Sequence, residues 1–268
     1  MMRKFLIFLI AGSVFCSGKP GYAQLIVDRA KVKLVVSPGQ TITDSITVYN
    51  SSNSGMSIRV YAEDFNYVSP FDGTKEFFPA GTVKNSCSTW IHFSPQEFQL
   101  PPFKGRKVTY SIKDPQDIKG GYYGVLFFEM SPGRMKRGKI DIQVIQRIGC
   151  LFFLEAQNRL KRGEIRNISG FGRSIQGEFF NTGDVILIPD GSFYVMDREG
   201  MAVERGKIEK FYLPPGESKS FTINFSKKLS YQLYTMVLTF DLEEGDVLVK
   251  EIDFEVSKTG LRVIQIRD

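Results

Sequence analysis

Two stretches of this chain repeat one another in order and spacing, and that repetition limits the architectures open to it. Leu100-Pro101-Pro102-Phe103-Lys104-Gly105 leads through Val108-Thr109-Tyr110 into the apolar run Tyr123-Gly124-Val125-Leu126-Phe127-Phe128. Leu213-Pro214-Pro215-Gly216 leads in the same way through Phe221-Thr222-Ile223 into Tyr234-Thr235-Met236-Val237-Leu238-Thr239-Phe240. Upstream of each copy stands an alternating segment that ends in Asn: Ile46-Thr47-Val48-Tyr49-Asn50 and Glu178-Phe179-Phe180-Asn181. A repeat of about 100 residues is domain-sized, so two tandem β domains are predicted and not a solenoid of short units. No helical period is sustained. Short alternating segments broken by turns such as Ser37-Pro38-Gly39-Gln40 and Asp197-Arg198-Glu199-Gly200 are the pattern of β-sandwiches, and the fold class is all-β.

The chain opens with a basic Arg3-Lys4, an apolar run from Phe5 to Phe15, and small residues at Gly21 and Ala23. These are the three parts of a secretory signal peptide, predicted to be cleaved after Ala23. Cys16 follows Phe15 where a lipidated cysteine would follow a small residue, so ordinary cleavage is favoured over lipidation. The expected division is residues 1–23 signal peptide, 24–157 first domain, 158–256 second domain and 257–268 C-terminal tail. No apolar stretch of membrane-spanning length occurs in the mature chain. Losing Arg3, Lys4 and Lys19 reduces the net charge from +6 to about +3. That remainder is scattered and does not make the clustered cationic groove that nucleic acid requires. The local basic runs Arg134-Met135-Lys136-Arg137 and Arg159-Leu160-Lys161-Arg162 read as solvated turn and linker charge.

The two copies differ between Asn and the Leu-Pro-Pro turn, where the first domain spends about 18 more residues than the second. Tyr67, Phe71, Phe77 and Phe78 stand in this insertion. An aromatic insertion on a β scaffold is either a binding loop or a flap over its own core. Cys87 and Cys150 remain after cleavage, in a compartment that permits one disulfide, although buried free thiols fit the sequence equally. His92 is the single histidine, which leaves no zinc set and no Ser/His/Asp arrangement. No cofactor, no metal and no enzymatic activity are expected. Ile140, Ile142 and Val144 alternate along a long strand predicted from Lys139 to Phe152.

The residues Pro38-Gly39-Gln40 before a strand ending in Asn50, Trp90, Phe98-Gln99-Leu100-Pro101-Pro102 and Gly121-Tyr122-Tyr123-Gly124 resemble the periplasmic pilus chaperones of the PapD type. The first domain also resembles the immunoglobulin-like peptidoglycan-binding domain of Gram-positive WxL-associated surface proteins. The resemblance implies two tandem immunoglobulin-like domains in the periplasm or cell envelope. It further implies two basic residues in the interdomain cleft that hold a client's terminal carboxylate, and a last strand in domain one that pairs with the client's open edge. Lys31, with Arg29 beside it, stands at the first basic position. Arg147 lies near the second, whose best match is Gly149. Ile140, Ile142 and Val144 would be the strand-addition residues. The partner would be an exported protein subunit, and the function that of a chaperone or assembly factor for surface or pilus-type subunits. The alternative is a structural or adhesive envelope protein that binds peptidoglycan or a surface partner.

Overall fold

A computed structural model describes residues 25–130, 135–137, 140–142, 145–226 and 228–268. The signal peptide, its cleavage point and Val144 lie outside the described residues. The first domain is built from β1 (Leu25–Val27), β2 (Lys31–Val36), β3 (Thr41–Asn50), β4 (Met56–Tyr67), β5 (Lys75–Pro79), β6 (Ile91–Ser94), β7 (Glu97–Leu100), β8 (Gly105–Lys113), β9 (Gly121–Met130), β10 (Met135–Arg137), β11 (Ile140–Ile142) and β12 (Gln146–Ala156). One sheet runs β1-β3-β8-β6. The facing sheet runs β2-β12-β9-β4-β5, with β7 paired to the first half of β4, and β10 and β11 form a ladder of their own. Alternation sends Val108, Tyr110 and Ile112 of β8 inward against Leu126 and Phe128 of β9 and Cys150, Phe152 and Leu154 of β12.

The opening segment from Leu25 to Val36, whose alternation suits one strand, is two strands that serve opposite sheets. β1 pairs with β3, whereas β2 runs parallel to β12. The switch occurs at Asp28-Arg29-Ala30, where Arg29 donates to Asp44 at 2.8 Å and so ties the bend to β3. Likewise the long strand expected from Lys139 to Phe152 divides into β11 and β12.

The second domain consists of β13 (Gly163–Phe171), β14 (Ser174–Asn181), β15 (Asp190–Met196), β16 (Ala202–Lys207), β17 (Ser218–Asn224), β18 (Leu233–Asp241), β19 (Val247–Ser257) and β20 (Gly260–Arg267). Its sheets are β13-β14-β17 and β16-β15-β18-β19-β20. Between them Phe179, Phe211 and Phe221 converge on Phe240, with ring centroids 5.0 to 6.1 Å apart. The segment set apart as a tail is a strand: β20 pairs with β19, Leu261 is buried, and Arg267 binds Asp253 and Glu251. Gly260, at φ 133°, allows the tight reversal that returns the chain.

The repeat seen in the sequence is one piece of hydrogen bonding made twice. Asn50 Nδ2 donates to Ser54 O at 2.8 Å and Leu100 O at 3.2 Å. Asn181 Nδ2 donates to Val185 O and Leu213 O, each at 2.8 Å. Each Oδ1 accepts an N–H two residues on, from Ser52 and Gly183, at 2.9 Å. Each asparagine backbone N–H reaches the residue four beyond the leucine, Lys104 O and Glu217 O, at 3.0 Å. The buried amide therefore fixes the strand end against the Leu-Pro-Pro turn in both domains, because a buried donor or acceptor must find its partner.

Candidate functional site

β9 is apolar on both faces because each face is covered. Leu126 and Phe128 enter the sandwich core, while Tyr123, Val125 and Phe127 point the other way with Phe65, Tyr67 and Phe153. This second face belongs to the junction with domain two, where Ile186 joins it. The sequence-predicted cations stand around it. In the parallel pairing of β2 and β12, Lys31 sits opposite Leu151, so Lys31 shares a face with Phe153, Leu151, Gly149 and Arg147. Lys31 Nζ lies 4.9 Å from the Phe153 ring centre. Among the described residues it makes no ion pair.

Arg147 and Arg29 are committed elsewhere. The Arg147 guanidinium lies 4.2 Å from the Phe127 ring centre and 5.4 Å from that of Phe77. It donates to Tyr61 Oη at 3.3 Å and pairs with Glu63 at 3.3 Å. The Tyr61 hydrogen bond raises its pKa above the ordinary arginine value. Four residues of strand separate it from Leu151, a distance of about 13 Å at 3.3 Å per residue. Between them a Cβ on Gly149 would meet Val125 Cγ2 at 2.8 Å and Phe127 Cε1 at 3.0 Å. The position where the family pattern places a second cation is therefore closed by apolar packing. Arg29 is held by Asp44 on β3, in the sheet opposite.

The edge of β12 is covered in part. β2 pairs with Leu151 to Ala156, and from Gln146 to Cys150 the described pairing is with β9 alone. Just upstream, the backbone of Ile140 and Ile142 runs in β11, opposite β10.

The aromatic insertion braces the two domains. Tyr67 stacks on Tyr212 of domain two, centroids 4.8 Å apart, and Lys75 Nζ lies 4.8 Å above the Tyr67 ring. Phe71 O accepts the Tyr212 N–H at 2.9 Å, Lys219 Nζ donates to Pro70 O, and Phe71 packs against both junction and second core. Tyr123 Oη accepts the Ile186 N–H at 2.6 Å. Burial raises the Tyr67 and Tyr123 phenols above their ordinary range and lowers the Lys75 ammonium. Phe77 and Phe78 alternate: the first touches Phe127, and the second points to the opposite side of β5. The return of the insertion is pinned by Asp64, which is wholly buried and accepts from Thr82 N, Val83 N and Ser86 Oγ.

Sequence reasoning missed a second brace. Arg159 and Lys161, read as solvated linker charge, have side chains only 14% and 6% exposed. Arg159 pairs with Glu155 at 2.7 Å and with Glu244 of the β18–β19 turn at 2.9 Å, and Glu244 also meets Lys161 and Lys33. Lys33 and its two partners lower the Glu244 pKa. The opposite charges of Arg159 and Lys161 to Glu155 and Glu244 were the available signal, but their convergence depends on the domain angle.

Cys87 and Cys150 are free and buried, which corrects the disulfide considered for them. Cys87 Sγ lies against Gly124, while Cys150 pairs with Leu126 two residues further along β9. Among the described residues no group of His, Cys, Asp and Glu is placed to hold a metal, and no helix is long and apolar enough to cross a membrane.

No family model and no curated protein matches the sequence. Solved structures do share the architecture. The class 5 fimbriae chaperone CfaA aligns with 91% of this chain and 99% of its own, at TM-score 0.50 and 12% identity. A chain from a chaperone–tip adhesin complex of CFA/I fimbriae biogenesis aligns with 85% of this chain and 97% of its own, at TM-score 0.50 and 13% identity. The fold is that of the PapD-type fimbrial chaperones. At such identities the likeness speaks for the fold. At Gly149, the position where the resemblance implies a second cation, the chain has apolar packing from Val125 and Phe127.

Proposed function

We propose that this protein is an export chaperone that captures a strand-deficient, pilus-type subunit by adding β12 and the segment before it to the subunit's open edge. The observation that carries the reading is the stretch of β12 from Gln146 to Cys150, which among the described residues pairs with β9 alone and ends where β2 brings in Lys31. Unpaired N–H and C=O groups along a strand edge are a template for another strand. Lys31, unpaired and at the foot of that edge, holds the subunit's terminal carboxylate. The anchor is a single cation, with Phe153 and Leu151 beside it as apolar floor. Ile140, Ile142 and Val144 supply the inserted side chains, and Arg147 stabilises the sheet face through Phe127 and Glu63 instead of touching the carboxylate. Periplasmic residence follows from the client.

The test is capture of a pilin-type subunit peptide with a free C-terminus against its amidated twin. Lys31→Gln should abolish the preference for the free carboxylate, and Lys31→Arg should keep it. Equal binding of both peptides by the native protein would refute the anchor. Unchanged hydrogen exchange at Gln146 to Cys150 on binding would refute strand addition.

A further inference from the structure

A second recess lies at the domain junction, beyond β12 from Lys31, around the start of β9 and the insertion. It is a groove of about 840 Å³ between the insertion, β9 and domain two. That volume is in the range of ligand sites, which favour domain interfaces. Its floor is apolar: Phe78 from the insertion, Tyr122 of β9, and Ile186, Pro214 and Pro215 from domain two. Tyr122 is fixed from behind by Trp90, with ring centroids 4.7 Å apart. The domains approach closely here, since Gly121 N donates to Asp184 O at 3.0 Å and a Cβ on Gly120 would strike the same carbonyl. Lys84 and Lys119 line the groove. Both are exposed, and among the described residues neither makes an ion pair or hydrogen bond. The carboxylate at hand, Asp184, is engaged by the Leu160 N–H at 2.7 Å.

We infer that this groove binds an extended acidic peptide segment, with apolar side chains on the Tyr122–Pro214 floor and a carboxylate side chain between Lys84 and Lys119. Two unpaired cations beside an apolar floor complement a Glu or Asp flanked by apolar residues. A neutral saccharide would leave both ammonium groups without a counter-charge, which a carboxylate side chain supplies. The groove is separate from the proposed client edge. Lys31 lies on β2, with β12 between it and β9, whereas the groove is lined from β9, β4, β5 and the insertion by residues of both faces, Phe78 and Tyr122 on one and Tyr67 and Tyr123 on the other.

The experiment titrates the ¹⁵N-labelled mature protein with Ac-Glu-Pro-Phe-Glu-NH₂, whose amidated end leaves Lys31 nothing to anchor. Amide shifts are expected at Lys84, Asn85, Tyr122 and Gly183, with none at Lys31 or Leu151. The double variant Lys84→Gln/Lys119→Gln should bind at least tenfold more weakly while its spectrum stays folded, and the Gln-for-Glu peptide should lose the same factor. Equal affinity in the double variant, shifts confined to the β12 edge, or no shift at millimolar peptide would overturn the assignment. So would oligogalacturonate shifting these amides where the peptide does not.

Discussion

Replacing Asn181 by Ala should unfold the second domain early, because this side chain is fully buried and makes three hydrogen bonds. Leu213 O keeps a second donor, the Leu187 N–H at 3.0 Å, so its loss is small. Val185 O and Gly183 N lose the partner that the asparagine gave them. At about 1–3 kcal/mol for each buried group left unsatisfied, and less where water reaches it, the total is about 2–4 kcal/mol. With a urea slope of about 2 kcal/mol per molar, the midpoint should fall by about 1–2 M. Circular dichroism reports both domains. The single Trp90, packed on Tyr122, reports domain one, and its fluorescence change should come after the first loss of ellipticity. Asn181→Asp preserves the shape but turns an acceptor toward two carbonyl oxygens at 2.8 Å, and should be at least as damaging. A midpoint for Asn181→Ala within about 0.3 M of the native protein, or a milder effect for Asp than for Ala, would refute the hydrogen-bond argument.

Asp64 carries a pH signature: burial acts to raise its pKa, but hydrogen bonds from Ser86 and Val83 outweigh it and hold the folded value below the ordinary one. Its stabilisation is thus present above the unfolded carboxylate pKa of about 3.9 and is lost as pH falls through the lower folded value. Amide exchange at Thr82 and Val83 should accelerate there, and Asp64→Asn should remove that pH step. Burial pushes the Cys150 thiol up to about 12 and raises Cys87 well above its ordinary value. Neither should react with a thiol reagent at pH 8 until the chain is unfolded, when both titrate without prior reduction. Tyr212→Ala deletes the ring stacked on Tyr67, worth about 0.5–1.5 kcal/mol beyond its buried area. Small-angle scattering should show a wider distribution of domain separations while Trp90 unfolding is unchanged. An identical scattering curve would mean that the ion cluster at Glu244 suffices to hold the domains.

The particular elements explain which features were legible early. Asn50 and Asn181, with their Leu-Pro-Pro partners, could be found because local turn chemistry and strand alternation are written in consecutive residues. For the same reason β9 could be recognised as covered on both faces from its unbroken apolar run. The bend at Asp28-Arg29-Ala30 could not: either sheet accepts an alternating strand, and the choice rests on Asp44 and on the parallel register with β12. Arg147 and Gly149 show the limit most clearly, since the resemblance implies a cation site there, whereas Val125, Phe127 and Glu63 on neighbouring strands decide that one is closed and the other engaged.

By itself, then, the sequence determined two β domains, their turn chemistry, the insertion in the first and the cationic character of Lys31, all properties carried by residues close together in the chain. Tertiary structure alone decided that the insertion braces domain two, that Arg159 and Lys161 meet Glu155 and Glu244, and that Lys31, without an ion pair among the described residues, stands beside the stretch of β12 whose described pairing is with β9 alone. Those relations join groups tens of residues apart, and their energies exist only once packing has set the distances between them.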